Sequence, residues 1–194
     1  MICVIDYGMG NLRSVSKALE KVGGQVQISS DPNDLKRAEK IVLPGVGAFG
    51  NGAEELEKRG LSQPIRESLS EKKPFLGICL GMQLLFDESE ESPGIKGLGF
   101  FSGRVQRFRN PAVKIPHMGW NEVKFLSPKK EDYFYFVHSY YPVPEEKAIV
   151  QGTCQYGDEA FAAFITKEKV WASQFHPEKS QDAGLELLKN FVRL

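Results

Sequence analysis

The chain has 194 residues, 41% of them hydrophobic, and its 25 Lys and Arg balance 25 Asp and Glu. That length suits one domain, over residues 1–194, with a substantial core, and the zero formal charge argues against a general nucleic-acid or membrane-surface binder. Three widely spaced cysteines, Cys3, Cys79 and Cys154, form neither a disulfide framework nor a metal motif, which points to a reducing, cytoplasmic setting and no metal.

Residues 1–6 read as a buried strand, too short and too acidic at Asp6 for a signal peptide. No apolar run approaches the ~20 residues of a membrane helix. A Gly-containing turn at 7–11 leads into helical spacing over 12–22 (Leu12, Val15, Leu19, Val22) that stops at Gly23-Gly24. A short strand at 26–28 precedes Asp31-Pro32, an N-cap with proline at the first helical position. A third strand, 40–43, ends at Pro44-Gly45-Val46-Gly47, helices follow at 51–59 and 62–71, then a strand to Ile78 and a helix over 80–86. Residues 89–99 are polar and Gly-rich, a loop. Strand signals follow at 104–108, 122–125, 133–137, 148–154, 160–166 and 170–175, and a helix at 181–192 closes the chain. The alternation predicts an α/β fold: an open, mostly parallel sheet with helices on both faces and an antiparallel strand extension.

The sharpest local feature is Gly77-Ile78-Cys79-Leu80-Gly81, with an apolar strand entering and a helix leaving. That is the setting of a nucleophile elbow with Cys in place of Ser. The flanking glycines permit a tight turn, the helix start favours thiolate, and the Leu80 amide is placed to donate to an oxyanion. The competing reading is a buried core cysteine. Near the other end, a strand runs into His176-Pro177-Glu178. In extended chain, residues two apart share a side, so Glu178 is placed to orient the His176 imidazole as a base. The bland alternative is a solvated surface turn. His117 and His138 compete for the base role, but Gly119 and Tyr140 stand where an acid is needed. The turn Pro44-Gly45-Val46-Gly47 presents free amides suited to an anion, although most such turns are only turns.

Together, Gly77-Ile78-Cys79-Leu80-Gly81-Met82-Gln83, His176-Pro177-Glu178 and Pro44-Gly45-Val46-Gly47 resemble the class I, triad-type glutamine amidotransferases, over essentially the whole chain. Residues 6–12, 116–121, 136–140 and 176–180 are similar to the glutaminase subunits of imidazole glycerol phosphate synthases. The resemblance implies a flavodoxin-like core, no cofactor, and a heterodimer with a (β/α)8-barrel cyclase that uses ammonia in histidine biosynthesis. It implies that Cys79 attacks the glutamine amide, His176 moves the proton and Glu178 orients it. It also implies that Leu80 with Val46 or Gly47 holds the oxyanion and that Gln83, Ser139 and Tyr140 fix the amino-acid end. Asn11, Trp120, Tyr135 and Lys179 would face the cyclase and the ammonia passage. Alternatives are a glutaminase subunit for anthranilate, aminodeoxychorismate or pyridoxal phosphate synthesis, or a cysteine hydrolase acting alone.

Overall fold

The computed structural model describes residues 1–127 and 129–194. Its elements are β1 (Ile2–Ile5), α1 (Leu12–Lys21), β2 (Val26–Ser29), α2 (Pro32–Arg37), β3 (Lys40–Leu43), α3 (Phe49–Lys58), α4 (Ser62–Ser70), β4 (Phe75–Ile78) and α5 (Leu80–Leu84). Then come β5 (Phe86–Ser89), β6 (Phe101–Arg107), β7 (His117–Leu126), β8 (Lys129–His138), β9 (Tyr140–Pro144), β10 (Val150–Tyr156), β11 (Glu159–Lys167), β12 (Val170–Ser173) and α6 (Gln181–Val192).

A nine-stranded sheet runs in the order β2-β1-β3-β4-β12-β11-β10-β7-β8. The first five strands are parallel to their neighbours, and the last four add on antiparallel. Strands β1 and β4 are buried at every residue, as a parallel sheet covered on both faces requires. Alternation assigns the faces. Ile2 and Val4 pack with Val15 and Leu19 of α1 and Leu188 and Phe191 of α6. Cys3 and Ile5 pack with Leu35, Leu56, Ile65 and Leu69 from α2, α3 and α4. Under the antiparallel part lies an aromatic cluster that includes Phe108, Phe125, Phe134, Phe136, Phe161 and Phe175.

Two expectations about the sheets and helices change. The helix expected over 80–86 ends at Leu84, because Phe86 begins β5. That strand and β9 join β6 in a second, three-stranded sheet, β5-β6-β9. What positions the site is the parallel register of β4 and β12, which sets Ile78 opposite Ser173. Both strands therefore end at one rim.

Candidate active site

Strand β4 delivers Cys79 to that rim in an unusual conformation. Its φ of 53° and ψ of −107° lie where non-glycine residues cost about 1–3 kcal/mol. The main chain turns there so that β4 can hand over to α5 within one residue. Close backbone approach makes the turn possible. A Cβ on Gly77 would lie 2.8 Å from the Gly81 carbonyl oxygen, and one on Gly81 would overlap the Leu43 carbonyl. The Cys79 amide donates to the Ser173 carbonyl at 2.7 Å, which pins the elbow to β12. Cys79 is 5% exposed.

Beyond β12, the chain is not extended as the sequence suggested. Pro177–Lys179 forms a 3-10 turn with His176 as its cap. Pro177 suits the first position of such a turn because it has no amide to leave unpaired. The two side chains meet nonetheless: His176 Nδ1 lies 2.8 Å from Glu178 Oε1, with side-chain exposures of 2% and 1%. Strand β8 holds this segment in place. The His176 amide donates to the Tyr135 carbonyl at 2.9 Å. The Tyr135 amide donates to Ser180 Oγ at 3.0 Å, and that hydroxyl donates to the His176 carbonyl at 2.7 Å.

Burial works against charge on His176, but the Cys79 sulfur and the Glu178 carboxylate outweigh it and raise the imidazole to about 10. Among the described residues, His176 Nε2 and Glu178 Oε2 have no hydrogen-bond partner. Nε2, on the ring edge away from Glu178, is the nitrogen left free to exchange a proton with a neighbour. The pair is thus able to take up a proton and hold the resulting charge out of water.

Cys79 lines a cavity of about 360 Å³. The oxyanion candidates Val46, Gly47 and Leu80 and the substrate candidates Gln83, Ser139 and Tyr140 line the same cavity. Gly47 has φ of +104°, in the left-handed region. Beneath the turn, Gly45 lets Leu80 and Tyr7 come close, since a Cβ there would meet Leu80 Cβ at 2.8 Å and overlap the Tyr7 hydroxyl. Trp120, Tyr135 and Lys179 gather outside the cavity. The Trp120 and Tyr135 rings meet edge to face at 6.3 Å, and Lys179 Nζ sits 5.6 Å from the Tyr135 ring centre. Asn11 caps α1, its Oδ1 accepting from the Ser14 amide at 3.3 Å.

The rival histidines form a buried pair, His117 Nδ1 to His138 Nε2 at 3.1 Å. Burial lowers His117 to about 4. It lowers His138 to about 3 against the pull of the Tyr140 carbonyl. Sequence reasoning missed two residues here. Glu91 reaches the cavity, and its Oε2 accepts from the Phe49 amide at 2.7 Å, capping α3 where Ala48 has no side chain to do so. Gln174 is fully buried, and its Nε2 faces the Cys79 sulfur at 3.7 Å. A polar residue inside an apolar strand ending was the one signal for Gln174; Glu91 left none.

The glutamine amidotransferase class-I family matches residues 3–194. The chain belongs to the class I glutamine amidotransferases. Among relatives of this amidotransferase, the imidazole glycerol phosphate synthase subunit HisH of Moorella thermoacetica is 49% identical over 201 residues, 100% of this chain and 94% of that protein. The HisH subunit of Methanothermobacter thermautotrophicus is 48% identical over 200 residues, covering 100% and 98%. That of Synechococcus elongatus is 47% identical, covering 98% and 92%. In fold, the amidotransferase is similar to a crystal structure of a glutamine amidotransferase (TM-score 0.80, 19% identity, both chains fully covered). It is also similar to the structure of PurLQS from Thermotoga maritima (TM-score 0.73, 19% identity, 98% and 93% covered).

Proposed function

We propose that this amidotransferase is the glutaminase subunit of imidazole glycerol phosphate synthase, cutting ammonia from glutamine for use in histidine biosynthesis. The observation that carries the chemistry is the buried His176–Glu178 pair beside a strained cysteine on a cavity. The full-length likeness to HisH subunits supports the pathway.

An amide is a poor electrophile, so the reaction needs both an activated nucleophile and charge stabilisation. His176 Nε2 takes the Cys79 proton, and Glu178 steadies the imidazolium. The sulfur adds to the side-chain carbonyl carbon of glutamine. The Leu80 amide and an amide of the Val46–Gly47 turn receive the negative oxygen. Collapse breaks the carbon–nitrogen bond, the imidazolium proton goes to the leaving nitrogen, and ammonia departs from a thioester. Water then adds with His176 as base, releasing glutamate and the thiol. Gln83, Ser139 and Tyr140 hold the amino-acid end of the substrate.

Ammonia reaching bulk water is protonated and ceases to be a nucleophile. A docked partner that receives it directly avoids this. Met118 and Trp120 of β7 and Tyr133 of β8 are large apolar side chains left exposed, at 62%, 47% and 59%. Such a cluster marks a contact surface. We assign it, with Tyr135, Lys179 and Asn11, to a (β/α)8-barrel cyclase subunit in a heterodimer. Among the described residues no helix is long and apolar enough to cross a membrane, and we place the enzyme in the cytoplasm.

A glutaminase assay on wild type and Cys79→Ala, with and without the cyclase subunit, tests this reading. The lone wild-type chain should be slow, because Gly47 leaves the oxyanion turn free to adopt an inactive peptide orientation, and the cyclase should raise its rate. Full activity of the lone chain would reject the partner, and activity in Cys79→Ala would reject the nucleophile. Rescue of a histidine auxotroph separates this pathway from the other ammonia-using syntheses.

A further inference from the structure

Behind the cavity runs a buried set of polar groups whose donors and acceptors are fixed by a single atom, the Tyr140 carbonyl oxygen. That oxygen can only accept. His138 Nδ1 lies 2.8 Å from it and must therefore carry a proton, which leaves Nε2 bare to accept from His117 Nδ1 at 3.1 Å. His117 Nε2 is bare in turn and accepts from Asn121 Nδ2 at 3.2 Å. On the other side, Gln83 Nε2 donates to the same carbonyl at 2.9 Å, which fixes the Gln83 amide. Gln83 Nε2 also faces Gln174 Oε1 at 3.1 Å. Reversing the Gln174 amide would set two donors against each other. Gln174 Nε2 is therefore committed to the Cys79 sulfur, 3.7 Å away.

The geometry points to Gln174 as a positioning residue that ties the nucleophile to the substrate-reading end of the pocket. Its amide holds the sulfur at one end and Gln83 at the other. With both Gln83 contacts made through Nε2, the Gln83 oxygen is the atom left for a ligand, and it suits the ammonium of an amino acid. An N–H aimed at sulfur holds the nucleophile in one position, and such a bond strengthens when its acceptor carries charge. Gln174 and His138 are closed off from solvent, and a satisfied buried network of this kind holds one arrangement. This inference rests on the reading of Gln83 as part of the glutamine site.

Gln174→Leu keeps the size and removes both polar contacts. In the complex with the cyclase subunit, kcat for glutamine should fall about 10- to 100-fold, the scale of one hydrogen bond to a charged group, and KM should rise. Alkylation of Cys79 by iodoacetamide, followed on the Cys79 peptide, should slow by a similar factor, since that reagent has no amino-acid end. Gln83→Met removes the partner that fixes the Gln174 amide, so it should raise KM and slow alkylation less than Gln174→Leu does. An unchanged KM there, with slowed alkylation in Gln174→Leu, would overturn the glutamine-site reading and keep the tie to sulfur. A kcat and an alkylation rate both within two-fold of wild type in Gln174→Leu would overturn the inference itself.

Wild-type protein gives an answer even if Gln174→Leu fails to fold. The side-chain amide protons of Gln174, assigned through their own carbons by NMR, should shift when Cys79 is alkylated, and unmoved signals would overturn the tie. The ring nitrogens of His117 and His138 should both show protonated Nδ1 and bare Nε2. The opposite tautomer at His138 would overturn the polarity argued from Tyr140.

Discussion

His176 Nδ1 and Glu178 Oε1 stand 2.8 Å apart, with both side chains shut off from solvent. Water cannot replace either partner. Glu178→Gln keeps the shape and an acceptor oxygen but removes the charge that supports the imidazolium. Its kcat for glutamine should fall on the order of 10²-fold while KM changes little. Steady-state assays with the cyclase present check this, and a kcat within three-fold of wild type would show that orientation alone matters.

The His117–His138 pair predicts how the fold responds to acid. Both imidazoles have folded values, about 4 and about 3, below the ordinary 6.5. The folded chain therefore holds them neutral while the unfolded chain takes up protons as pH drops below 6.5. Their contribution is present above that pH and is lost as pH falls towards 4 and 3. From pH 6.5 to 5.0 the slope should steepen towards two protons, about 2.7 kcal/mol per pH unit, because by the lower end His176, raised to about 10, is charged in both states and no longer opposes the pair. Urea unfolding at several pH values measures it. A flat profile over that range would mean the pair is hydrated.

Gly47 carries the left-handed conformation of the turn proposed to hold the oxyanion, with φ of +104°. Gly47→Ala adds a Cβ 2.8 Å from the Met9 terminal methyl, which is flexible enough to move, so the backbone angle is the main obstacle. The variant should fold and lose about 10²- to 10³-fold in kcat, as when an oxyanion donor is misplaced. Circular dichroism with an activity assay separates loss of the turn from loss of the fold.

Trp120 stands on the exposed face, its ring against Tyr135. Trp120→Ala should weaken cyclase binding about 30-fold, as an interface anchor does, and leave the thermal midpoint of the lone chain unchanged. Isothermal titration measures the first and calorimetry the second. Binding within two-fold of wild type would move the docking surface elsewhere.

Much of this was legible in the sequence, and what was not has physical causes. Uninterrupted apolar runs such as Ile2–Ile5 marked the parallel strands, because burial on both faces leaves no polar alternation. The elbow announced itself through Gly77 and Gly81, whose lack of side chains is a local need. Strand β9, Tyr140–Pro144, was hidden by Pro142 and Pro144. Proline forfeits a ladder donor and survives in β9 because the strand lies at the edge of its sheet. Glu91 and Gln174 take their meaning from groups far along the chain, the Phe49 amide and the Cys79 sulfur. No local spacing encodes such contacts. The convergence of Cys79 and His176 was likewise an inference from motif until the Ile78–Ser173 register put them at one rim.

The strain at Cys79 makes a further forecast. Its φ of 53° suits glycine, which tolerates positive values freely. Cys79→Gly should unfold at higher denaturant than Cys79→Ala, by about 1–2 kcal/mol, although both should be inactive. Equal stabilities would mean that the surrounding packing, and not the main-chain angle, sets the energy of the turn.

Strand β12 belongs to the last quarter of the polypeptide, yet it lies at the middle of the sheet, between β4 and β11. During translation the thiol leaves the ribosome long before the imidazole does. A nascent or truncated product that stops short of residue 170 has Cys79 but not His176, and an empty lane where the central strand belongs. On the proposed mechanism such a product cannot cut glutamine, because sulfur and imidazole meet only once β12 has taken its lane beside β4.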